Sequence, residues 1–102
     1  MKEILRVLGK TQSGTLVVGG VFNFFSTTGL PLDVLFDCLK QKNMIPDWLV
    51  FYVEASSSGM KHNRIISVLE TTISDSYGAE FSKIVIDRLE LIVKECEKNK
   101  EY

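Results

Sequence analysis

Residues 79–98 read AEFSKIVIDRLELIVKECEK, and the spacing within them decides how the rest of the chain is read. The stretch holds neither Gly nor Pro. Phe81, Val85, Leu89, Ile92 and Cys96 recur at steps of three and four, which lines one face of an α-helix. Lys83, Asp87, Glu90, Lys94 and Glu97 recur the same way on the opposite, solvated side. Lys83 with Asp87, and Glu90 with Lys94, set opposite charges four apart, each pair worth a few tenths of a kcal/mol. The pattern predicts one long helix over Ala79 to Lys98.

That helix carries more apolar surface than one stripe. At roughly 100° per residue, Ile86 and Val93 join the first five to make an arc of about 140°. Ile84 and Leu91 form a second, smaller strip beyond it. Arg88 and Glu95 stand between the two, seven residues apart. An outer helix of a monomer needs an apolar arc of about 100° or slightly more. The surplus has two readings: a central helix with neighbours on two sides, or a strip that meets another chain.

Working outward, Ser76-Tyr77-Gly78 breaks the pattern, and Lys61 to Asp75 predicts the preceding helix, with Ile65, Ile66, Leu69 and Ile73 on one face. Ser56 to Gly59 breaks the chain again. Before it lie two matched units, Leu30-Pro31-Leu32-Asp33 and Ile45-Pro46-Asp47-Trp48. Proline suits the first helical position, and an acid in the first turn suits the positive helix end. The expectation is an antiparallel helical hairpin, Pro31–Lys42 and Pro46–Ser57, turning at Asn43–Ile45. Leu16 to Phe25 is read as helix despite Gly19-Gly20, and Lys2 to Leu8 as a short helix ending at Gly9. After Lys98 the tail is expected to fray.

The fold expected is therefore all-α: a single-domain bundle of five or six helices over residues 1–102, with a long C-terminal helix. The competing reading is α+β, with short strands at 16–25 and 48–53, where β-branched and aromatic residues concentrate. The chain length allows one domain and a core without metal or disulfide staples. Cys38 and Cys96 are expected as buried free thiols. The longest apolar run, Leu16 to Phe25, is half the length of a membrane span. Glu3 interrupts the positive start that a secretory signal needs, so the cytoplasm is expected.

Chemistry is sparse. Gly9-Lys10-Thr11 falls short of a phosphate loop because Ile4 stands where the motif needs its first Gly. The single histidine, His62, has no cluster of metal ligands around it in sequence, and Ser56 to Ser58 near it do not make a triad. No catalytic residue, metal site or cofactor is expected, and no known family is suggested by the residues. By elimination the chain reads as a small non-enzymatic interaction or regulatory protein. Its expected partner is another protein, foremost a second copy through Ile84, Arg88, Leu91 and Glu95. Trp48, Phe51 and Tyr52 form a further candidate partner surface. The alternative is a nucleic-acid-binding regulator that uses Lys61, His62, Asn63 and Arg64 at a helix start. A net charge of −1 weighs against that alternative, and against binding an anionic membrane.

Overall fold

The computed structural model describes residues 5–100, with side chains for residues 5–96. Five helices lie beside a small three-stranded sheet: β1 Arg6–Lys10, β2 Leu16–Gly19, α1 Val21–Thr28, α2 Leu32–Gln41, β3 Met44–Pro46, α3 Trp48–Ser57, α4 His62–Tyr77 and α5 Ala79–Lys100. The chain is mostly helical, but all-α is too narrow a class for it. A mixed α+β class fits better, and one of its expected strand segments is met in part: β2 occupies the start of 16–25, whereas residues 48–53 are helical.

β2 is the central strand, antiparallel to β1 and parallel to β3. The expected N-terminal helix is replaced over residues 6–8 by β1, while Lys2 to Ile4 lie outside the described residues. A helix of seven residues is too short to hold itself. Pairing with β2 gives the same backbone groups partners. Gly9 accordingly lies within a strand and ends no helix.

Gly19-Gly20 explains the split of the next segment. Gly20 adopts φ 87°, a left-handed conformation that costs side chains dearly, and the chain turns there from β2 into α1. Gly19 has a different task. A Cβ on it would come within 2.9 Å of Leu8 Cδ1 and 3.3 Å of Val50 Cγ1, so its bareness lets β1 and α3 close over the sheet.

The two proline units are helical but begin later than expected. Pro31 caps α2 from outside, and Pro46 ends β3, an edge strand where its missing N–H is tolerated. The expected turn at Asn43–Ile45 is shorter. Asn43, at φ 58°, reverses the chain alone, and Met44–Pro46 then pairs with β2. Asp47 works twice at this junction. Its N–H donates to Val18 O at 2.8 Å, and its carboxylate accepts from the Val50 N–H at 3.1 Å as the cap of α3.

The core is shared by all five helices and Val18 of β2. Phe36, Ala55, Ile65, Leu69 and Ile73 are completely buried, and Phe51 nearly so. α5 packs chiefly on α4 and only lightly on α3. Ser82, buried at that contact, donates its hydroxyl proton to Glu70 O at 3.0 Å. Both cysteines are free thiols and exposed, contrary to expectation: Cys38 on the outer face of α2, Cys96 toward the end of α5. α5 also runs past Lys98 to Lys100 instead of fraying at Asn99; residues 101–102 lie outside the described part.

Replacing Gly20 with alanine forces a side chain into the left-handed region at the β2–α1 turn. The expected result is a loss of about 1 to 2 kcal/mol, read as a lower urea midpoint with an unchanged helical circular dichroism spectrum.

Candidate functional site

The face left open by the fold lies between α3 and α5. Because α5 leans on α4, its flank toward α3 stands away, and a groove of about 450 Å³ opens there. Val17 and Pro46 of the sheet, with Val85 and Leu89 of α5, form its apolar depth. Trp48 and Leu49 make one wall, and Phe81, Ile84, Arg88 and Ile92 the other. A second depression of about 310 Å³ continues along the same two helices, past Leu49, Tyr52, Val53, Ile92 and Cys96.

Ile84 and Leu91 lie outside the core, each 62% exposed. The reading of α5 as a central helix with neighbours on two sides is thereby removed within the chain: the second strip has no cover among the described residues. Arg88 and Glu95 are exposed between the strip and the main arc, and neither has an ion-pair partner among the described residues. Of the remaining arc, Val85, Ile86 and Leu89 are buried and Phe81, Ile92 and Val93 half-buried, while Cys96 at its end is exposed.

The aromatic trio divides. Phe51 is buried, with its ring edge-on to Phe22 at 5.4 Å, so it offers nothing to a partner. Trp48 is half-buried, edge-on to Phe36 at 5.6 Å and to Tyr77 at 5.9 Å, and one side of it lines the groove. Tyr52 is half-buried and hydrogen-bonded to His62, O to Nδ1 2.7 Å. The groove residues that sequence reasoning passed over are Leu49 and Val53, 39% and 53% exposed. Their signal was present in the run Trp48 to Val53, which is apolar on every side of a helix. Such a helix is ordinarily buried all round, and α3 is not.

At the start of α4, Lys61, Asn63 and Arg64 are exposed, but His62 turns inward. Its Nδ1 meets the Tyr52 hydroxyl, and its Nε2 lies 4.0 Å from a Glu90 carboxylate oxygen. One histidine thus ties α4 to both α3 and α5, which withdraws it from the basic set. Among the described residues no three His, Cys, Asp or Glu side chains come together as metal ligands, and no helix is long and apolar enough to cross a membrane.

Comparison with known proteins returns nothing: no family model matches the chain, and no curated protein or solved structure is significantly similar to it.

Behind the groove, Tyr77 packs among Phe36, Trp48 and Phe81. Its buried hydroxyl has no hydrogen-bond partner among the described residues, and burial pushes its pKa from 10.0 up to about 12. The folded chain therefore holds this proton more firmly than the unfolded chain. The associated stability is complete below pH 10 and declines as pH rises toward 12. Tyr77→Phe is expected to remove that decline and to leave neutral-pH stability unchanged or raised by up to about 1 kcal/mol. Urea unfolding at neutral pH and at about pH 11 checks both parts.

Proposed function

We propose that this chain is a small cytoplasmic interaction protein of regulatory kind, with no enzymatic activity, that works through a protein-binding surface and pairs with a second copy of itself through α5. The observation that supports this most directly is the pair of exposed strip residues, Ile84 and Leu91, with Arg88 and Glu95 beside them and in no ion pair among the described residues. Two copies of α5 run antiparallel, with the two-fold axis near Leu91–Ile92. Residues on opposite sides of such an axis exchange partners, so Arg88 of each copy approaches Glu95 of the other.

Magnitudes decide how strong this pairing is. Covering Ile84 and Leu91, each a little over half exposed, yields on the order of 1 to 2 kcal/mol per side chain. The Arg–Glu contacts are surface ion pairs and add at most about 1 kcal/mol each. Association itself costs roughly 4 to 15 kcal/mol. At the favourable end these magnitudes leave about 6 kcal/mol, a dissociation constant on the order of tens of micromolar, so the pair is weak and the charges serve mainly to fix the register.

Light scattering over a concentration series tests the pairing, and a chain that stays monomeric at high micromolar concentration removes it. Arg88→Glu is expected to weaken the pair about tenfold, and adding Glu95→Arg to restore it. A dimer indifferent to both changes keeps the pairing but discards this register.

Lys61, Asn63 and Arg64, all exposed, keep a second reading in view: a nucleic-acid contact at the start of α4. It requires binding to duplex or single strands that falls as salt is raised. A low-salt mobility-shift assay with no shift removes it.

A further inference from the structure

We infer that the groove between α3 and α5 is a binding site for a single-chain amphiphile with one carboxylate, a fatty-acid-like ligand. This goes beyond the pairing of α5, with which it shares Arg88, and its further support is the groove itself. At about 450 Å³ the groove falls within the volume range of small-molecule sites, and its depth is almost wholly apolar. A flexible hydrocarbon chain matches it, because no polar group in the depth asks for a specific partner. Val17, Pro46, Val85 and Leu89 supply only carbon surface to it.

Polar groups occur at the rim, and they specify the head of the ligand. Arg88 stands on the α5 wall with no ion-pair partner among the described residues. A guanidinium presents a planar fork that receives a carboxylate through two parallel N–H donors. Across from it, the Asp47 carboxylate is occupied in accepting from the Val50 N–H. That negative charge opposes any anion beside it, which directs the ligand's carboxylate to Arg88 and away from Asp47. Thr11, at the start of the β1–β2 loop, is engaged with Ser13 at 2.9 Å and also lines the groove. The ligand therefore lies with its tail in the apolar depth and its carboxylate at Arg88.

The groove carries its own reporter, since Trp48 is the single tryptophan of the chain and lines one wall. The experiment is a fluorescence titration of the full chain with dodecanoate, below its micelle concentration and at a protein concentration where the chain is monomeric. Dodecanol and dodecyltrimethylammonium serve as the neutral and cationic comparisons. A saturable change in Trp48 emission is expected with dodecanoate. Dodecanol and the cation should bind at least about tenfold more weakly, because each lacks the charge-assisted contact. Arg88→Gln, at an exposed position, should weaken dodecanoate by the same factor and leave dodecanol unchanged. No saturable change overturns the site, as does emission that follows protein concentration and ignores ligand, for then a second copy fills the groove. Equal binding of acid and alcohol, or an indifferent Arg88→Gln variant, overturns the assignment of the carboxylate. Because Arg88 is also the residue offered to Glu95 of a second copy, saturating dodecanoate should drive any pair toward monomer. Failure of the pairing is read by light scattering and failure of the site by Trp48, so the two are told apart.

Discussion

The seam between α4 and α5 governs what the rest of the molecule can expose. A single glycine, Gly78 at φ 102° and ψ 153°, joins the two helices, so they fold back on each other with no slack. Ile65, Leu69 and Ile73 of α4 and Val85, Ile86 and Leu89 of α5 are buried along their packed faces. Ser82 is small enough to lie inside the seam, and its hydrogen bond to Glu70 O sets the height of one helix against the other. Once that arc of α5 is committed, the residues about 140° round from Leu89 have nowhere inside the chain to go. Ile84 is one of them.

α3 shows the complementary condition. Its run of six apolar residues gives it no polar side, yet the chain supplies cover for only part of it. Phe51 and Ala55 face the core, while Leu49 and Val53, four apart, look outward across the groove. Leu49 and Val53 on α3, with Ile84 and Leu91 on α5, leave exposed apolar side chains on two helices that the fold holds slightly apart, while Val7, Leu8, Leu30 and Val34 are exposed elsewhere. Contiguous apolar surface marks a contact site more reliably than scattered single residues do.

The helical half of the chain was legible because its signals are local. α2, α4 and α5 follow from apolar spacing with a Pro, a Gly or an Asn at the boundary, and Asp47 sits where a cap should. The sheet was not legible, for a physical reason. β3 is three residues long, and only its register against Val17 and Val18, far away in sequence, makes it a strand. Pro46, which spacing placed at the first turn of a helix, is equally at home at the end of an edge strand. Gly19-Gly20 was recognised as a weakness in a helix, when one of the two is a left-handed hinge and the other a site of close approach. Of the candidate surface, the α5 strip was visible from periodicity alone. The groove needed three elements in place, and Phe51 could be assigned inward only once α1 was known to pack on α3.

The one-residue link at Gly78 bears on how the chain reaches this state. α4 and α5 can zip together as soon as both are formed, since bringing them into contact orders almost no intervening chain. β2 has a local partner in β1, but its pairing with β3 has no such advantage. Its parallel partner becomes available only after residues 20–43 have wound into two helices and brought Met44 back beside Leu16. The helical hairpin is therefore the natural nucleus, and the β2–β3 pairing is the later closure.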